Sequence, residues 1–190
     1  SSSFDTIKSR RNITGGLYAS STANFTISNF VISDIDDLKD LRIFNYNATT
    51  TLINSTFNTA ALDFQGSGFG AVQRAFTLDL KVVDAANVAI SGATVDLKDT
   101  NGATIFNSTT DGTGLIGQKT VITDVFNYAN PSGVTANTFT LTVSKSGKIT
   151  SSQTLDVQAA QNFSVVLAGE CDPDTTILAS SFRYPMRIDT

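Results

Sequence analysis

Residues 90–114 read ISGATVDLKDTNGATIFNSTTDGTG. Val95 and Leu97 alternate with Thr94, Asp96 and Lys98, the period of two expected of a strand with one buried face. Asn101-Gly102 follows, and this pair adopts the positive φ angles that a tight hairpin turn demands. A second β-rich run leads to Asp111-Gly112, another turn signal. The stretch therefore predicts strand, turn, strand and loop.

The same pattern extends in both directions. In AFTLDLKVVD, 75–84, Phe76, Leu78, Leu80 and Val82 share one face, and Thr77, Asp79 and Lys81 the other. TFTLTVSK, QTLDVQ and NFSVVLA repeat it with Phe139, Leu141 and Val143, with Leu155 and Val157, and with Phe163, Val165 and Leu167. Ser132-Gly133 and Ser146-Gly147 supply further turns. Six or seven short strands at this spacing read as an antiparallel β-sandwich.

Specific positions carry a family resemblance. Val83-Asp84, Gly92-Ala93-Thr94-Val95, Asn101-Gly102, Thr110-Asp111-Gly112-Thr113-Gly114 and Lys145-Ser146-Gly147 occur in this order. Together they resemble the carboxypeptidase regulatory-like, or transthyretin-like, β-sandwich, over about half of the chain. The resemblance implies an Ig-like module that spaces, braces or displays other parts. Under it, Gly92 and Ala93 are small where a strand enters close to its neighbour, and Asp111 holds its loop by accepting backbone N–H bonds. The chain departs from the family at Ala89-Ile90, where a Pro is usual, and in VITDVFNYANPSGVTAN, 121–137, which leaves the middle strands without a fixed register.

Residues 1–70 are β-rich, with Ile-Ser-Asn and Ile-Asn-Ser steps between apolar positions. Two readings remain open: the closing turns of a right-handed parallel β-helix, with Asn and Ser at the bends, or a small antiparallel sheet. The intervals from Asn29 to Asn45 to Asn54 set no regular period. DIDDLKDL, 34–41, is the one helical turn expected, and GSGFGAV, 66–72, reads as a linker. The expected fold is thus all-β, with an N-terminal β-rich region (1–70), an Ig-like β-sandwich (71–168) and an extended C-terminal tail (169–190). Asp172-Pro173 breaks the chain before TTILASSFRYPMRI, apolar enough to pair with a neighbouring subunit or to pack back on the N-terminal region.

Composition narrows the chemistry. Of 190 residues, 16% are charged and the formal net charge is −4, against about 25% charged residues in ordinary domains. The balance argues against nucleic acid as a partner; Lys8, Arg10 and Arg11 read as a solvated arm. Without an apolar run near eighteen residues, no membrane insertion is expected. Histidine is absent, which removes the commonest general base, the commonest zinc ligand and every Ser-His triad. The single cysteine, Cys171, excludes an internal disulfide.

Asp34, Asp36, Asp37 and Asp40 form the densest acidic group, suited to a carboxylate pair or to calcium, but their spacing matches no known loop and reads as a solvated turn. An internal Lys-Asn amide bond beside a buried acid would use Lys81 or Lys98. Sequons at Asn12, Asn24, Asn47, Asn54, Asn107 and Asn162 are either glycan acceptors in an exported chain or ordinary polar positions.

The function expected from these features is that of a non-enzymatic structural subunit of a repeating extracellular assembly: a cell-surface filament or layer, or a phage tail or capsid. It would have no catalytic, cofactor-binding or metal-binding residues and no cofactor, and its partners would be copies of itself or other structural subunits. An alternative is a carbohydrate-binding or adhesin module stacking surface glycans on Tyr18, Tyr46, Tyr128 or Tyr184. A third is a fragment of a β-helix polysaccharide-active enzyme.

Overall fold

The computed structural model describes residues 17–19, 24–29, 31, 41–43, 48–64 and 70–169. The chain is all-β, and two sheets pack face to face as a sandwich. The N-terminal part is wound in parallel. Strands β1 (Leu17–Ala19), β3 (Leu41–Ile43) and β5 (Leu62–Phe64) form one parallel ladder, with Leu17 beside Leu41 and Leu41 beside Leu62. Strands β2 (Phe25–Ser28), β4 (Thr49–Ile53) and the start of β6 (Ala71–Val83) form a second. Alternating visits to two ladders make the successive turns of a coil, so the small antiparallel sheet is not what forms. Asn29 and Asn54 end β2 and β4 with φ of 58° and 50°, and each bends the chain while donating its N–H to the next turn, at Ile53 O and Ala75 O.

β6 is where the coil becomes the sandwich. Its first residues pair with β4, while β9 (Lys119–Asn127) runs antiparallel along its other side. Beyond β4, β13 (Gln161–Val166) pairs with β6 in parallel, and β10 (Val134–Thr135) extends β9. The opposing sheet has the order β12 (Ser151–Asp156), β11 (Thr138–Ser144), β7 (Thr94–Lys98), β8 (Thr104–Thr109), all antiparallel. The sandwich is thus antiparallel except along β6–β13. Gly70 is buried and Ala71 already lies in β6, so the end of GSGFGAV is strand and not linker; residues 66–69 lie outside the described residues, as do 34–40 of the expected helical turn. Leu41, the last residue of that turn, is strand.

Two apolar clusters fill the interior. The sandwich core takes Leu78, Leu80 and Val82 from β6, Val95 and Leu97 from β7, and Phe139, Leu141 and Val143 from β11, among others. These are the inward positions of the alternating strands. A second cluster joins Ile27, Leu52, Phe57, Leu62 and Val72 of the coil to Phe126 of β9.

The hairpin of 90–114 forms, but of the pair at its bend only Gly102 takes a positive φ, Asn101 does not, and the ladder shifts register between Leu97 and Lys98. Asp99 Oδ1 accepts the N–H groups of Asn101 and Ala103, and Gly102 sits at φ 84°. Asp111 Oδ1 accepts from Thr113 N, Thr113 Oγ1 and Leu115 N. These bonds, led by the Thr113 hydroxyl, hold its carboxyl below the ordinary value. Ala93 is fully buried. Gly92 is small for a different reason from the one expected: its φ is 68°, and the nearest atom to an added Cβ is the flexible Lys145 amine.

Candidate functional site

Arg74 stands at an inward position of β6, two residues from buried Val72 and two from Phe76. A cation there must find a partner, because an unpaired charge in an apolar interior is costly. The partner comes from an irregularity in β9. Arg74 is registered with Asp124 but Ala75 with Ile122, so Thr123 is an extra residue. Such a bulge breaks the two-residue alternation, and consecutive Thr123 and Asp124 are both buried, at 1% and 2% exposure.

Arg74 Nε donates to Asp124 Oδ2 at 2.7 Å. Thr123 Oγ1 donates to the same oxygen and Thr135 Oγ1 to Oδ1, both at 2.8 Å. Burial alone pushes the Asp124 carboxyl up. The hydrogen bonds from Arg74, Thr123 and Thr135, with the positive charge of Arg74, outweigh it and leave the group below its ordinary value. The guanidinium carbon lies 6.0 Å from the ring centroids of both Phe57 and Phe76, within cation–π range. Phe57 is itself set edge-on against Phe126, centroids 6.1 Å apart. The coil core and the sandwich core therefore both help to position one guanidinium.

Around this pair is a recess of about 140 Å³, lined by Arg74, Phe76, Thr123, Asp124, Asn137, Val157 and Gln158. It lies between the sheets, with Asn137 leading into β11 and Gln158 following β12. Among the described residues, Nε is the only nitrogen of Arg74 with a hydrogen-bond partner, and neither Nη group has one. The Gln158 amide spends its nitrogen on Asp156 Oδ2, leaving Oε1. Among the described residues, the Asn137 side chain has one partner, Thr138 Oγ1, which donates to Oδ1 at 3.5 Å. The site offers fixed donors and acceptors. As a base Asp124 is weak, because its lowered pKa favours the ionised form.

None of these residues was expected as a site from sequence. Arg74 carries a legible signal, since it interrupts the inward series Val72, Phe76, Leu78, Leu80, Val82. Asp124 carries none, because strict alternation places it opposite Val121 and Thr123, and only the bulge turns it inward.

The residues singled out from sequence do not converge. Asp34, Asp36, Asp37 and Asp40, Tyr46 and Tyr184, Cys171, Asn12 and Asn47, and the tail from 170 lie outside the described residues. For Tyr18 only its place in β1 is described; Tyr128 is exposed after β9. Lys81 and Lys98 do not line the recess around Asp124, and Lys98 Nζ sits 3.3 Å from Asp96, half exposed. Among the sequons, Asn24, Asn107 and Asn162 are exposed. Asn54 instead exchanges two bonds with Thr77, its Nδ2 to Oγ1 and its Oδ1 from the backbone N, each 2.9 Å. Among the described residues no three His, Cys, Asp or Glu side chains gather where a metal could sit.

No protein-family model matches the chain, and neither does any curated protein. Solved structures do. The 3-chlorocatechol 1,2-dioxygenase of Rhodococcus opacus 1CP is 10% identical at a TM-score of 0.35, over 50% of this chain and 60% of that one. The catechol 1,2-dioxygenase of Acinetobacter radioresistens is 13% identical at 0.37, over 52% and 53%. The Bacillus anthracis TIE protein is 14% identical at 0.38, over 57% of this chain and 19% of its own. The chain thus spans at most about three fifths of these proteins. The expectation of a non-enzymatic structural subunit is corrected by this finding, since the dioxygenases among the matches are enzymes. At these TM-scores and identities the likeness transfers neither their activity nor their family to this chain.

Proposed function

We propose that the chain is a binding domain whose recess at Arg74 and Asp124 receives the end group of a small polar ligand. One observation carries this reading: an arginine lining a recess and oriented through Nε by a buried carboxylate, with neither Nη group bonded among the described residues. The guanidinium carries five donors, and among the described residues only the one on Nε is bonded. Charge-assisted bonds from Nη would be about twice as strong as neutral ones, in a site already organised before the ligand arrives. The volume suits an end group, being well below the roughly 300–1,000 Å³ of sites that enclose drug-sized molecules.

We further assign residues 71–168 to the transthyretin-like group of sandwiches. The loop built on Asp111 supports that assignment, because its carboxylate accepts the backbone N–H bonds that the motif implies.

The test is a thermal-shift screen of small neutral and anionic probes on the wild type and on Arg74→Lys. The lysine keeps the charge and loses the fork. A probe that raises Tm for the wild type and not for the variant supports the reading; a probe set that treats both alike overturns it.

A further inference from the structure

The recess also carries information about the class of its ligand, and the inference rests on the binding reading above. We infer that it selects adjacent hydroxyl groups at the end of a neutral polyol. Arg74 Nη donates to their oxygens, and Gln158 Oε1, with the Asn137 amide, accepts their protons.

Three features point to this class. First, the unspent groups are of both kinds. Arg74 brings only donors, while Gln158 Oε1 has no partner among the described residues and Asn137 brings one donor and one acceptor. A carboxylate or phosphate ester accepts only, and would leave those amide oxygens facing its own oxygens. A hydroxyl both donates and accepts, and two adjacent hydroxyls match the paired Nη groups of one guanidinium. Second, the local charge is already balanced. Asp124 neutralises Arg74 at 2.7 Å, and the chain carries −4 overall, so an anion meets no net attraction. Third, the wall includes Phe76 and Val157 beside the polar groups, surface suited to the C–H face of a polyol. A volume of about 140 Å³ is roughly that of five waters, enough for one such end group.

The experiment is a titration of the full chain, uniformly ¹⁵N-labelled, followed at the Arg74 Nε–H and Asn137 side-chain resonances. The probes are glucose and myo-inositol, with 1,3-propanediol for separated hydroxyls and acetate for an anion. The expected result is saturable shifts with glucose or inositol, and none with acetate or 1,3-propanediol at equal concentration. Gln158 is exposed, so Gln158→Ala leaves the fold intact, as the remaining amide resonances will report. It should weaken polyol binding about fivefold, the equivalent of one neutral hydrogen bond. Acetate shifting these resonances while the polyols do not would overturn the ligand class and leave the binding site standing. Silence from every probe would overturn the site itself. Polyol binding undiminished in Gln158→Ala would overturn the role given to that amide.

Discussion

At the scale of single residues, two polar side chains set large local costs. Asn54 combines a left-handed backbone with two bonds to Thr77. Asn54→Ala should destabilise the chain by about 3 kcal/mol, adding the left-handed penalty to two lost hydrogen bonds. Asn54→Gly, free of the backbone penalty, should cost about half of that, and urea unfolding by circular dichroism separates the two. Asp124 makes a different prediction. Its folded-state pKa lies below the unfolded value, so its contribution is present above pH ~4 and is lost as pH falls through the folded value. The wild type should therefore lose more stability than Asp124→Asn between pH 5 and 2, while at pH 7 Asp124→Ala should cost about 3 kcal/mol by leaving Arg74 without its partner. Parallel acid limbs in the two proteins would remove Asp124 from the linkage. What the sequence disclosed of this pair was half: Arg74 is visible as a charge in an apolar series, whereas the inward turn of Asp124 depends on a register shift that no residue type announces.

At the scale of elements, legibility follows how local the determining physics is. β6, β7, β11 and β13 could be read because alternation and turn chemistry act within a few residues. β9 could not, since an extra residue at Thr123 resets the faces halfway along. The winding of β1 to β5 was left open for another reason: local propensity is indifferent to whether a strand's neighbour runs parallel or antiparallel, and Asn29 and Asn54 mark the turns too unevenly to fix a period. Loops show how an element's neighbours decide the role of a glycine. Gly114 and Gly147 have φ of 80° and 73°, but a Cβ on Gly114 would lie 2.5 Å from the carbonyl oxygen of Val82 in β6, while one on Gly147 meets nothing within 4 Å. Gly147→Ala should cost about 1–2 kcal/mol, the backbone term alone. Gly114→Ala should cost clearly more, because β6 cannot yield without disturbing both sheets. Equal losses of Tm in the two variants would show that the Asp111 loop relaxes independently of β6.

At the scale of the whole molecule, β6 is the one continuous strand shared by the coil and the sandwich among the described residues. One strand of thirteen residues pairs with β4, β9 and β13, and its inward face feeds both apolar clusters. Phe126 is the reciprocal link: it belongs to β9, is 2% exposed, and packs in the coil cluster with Val72 and Phe57. Unfolding of the wild type should accordingly be one transition, and the amides of β4 should exchange with the same opening free energy as those of β9. Phe126→Ala should destabilise by about 3–5 kcal/mol, as expected for loss of a large buried aromatic. Its distribution matters more than its size. The coil cluster loses its only contribution from β9, so β4 amides should begin to exchange by a sub-global opening while Leu80 and Leu97 in the sandwich core stay protected. Leu80→Ala, of comparable burial but wholly within the sandwich, should lower protection in both halves together. The recess would respond as well, because the Phe57 ring over Arg74 is held edge-on by Phe126. Ligand-induced stabilisation should therefore weaken in Phe126→Ala and survive in Leu80→Ala once their lower starting stabilities are matched. If β4 and β9 open independently in the wild type itself, the shared strand does not couple the two cores, and the coil contributes nothing to the site beyond the Phe57 ring.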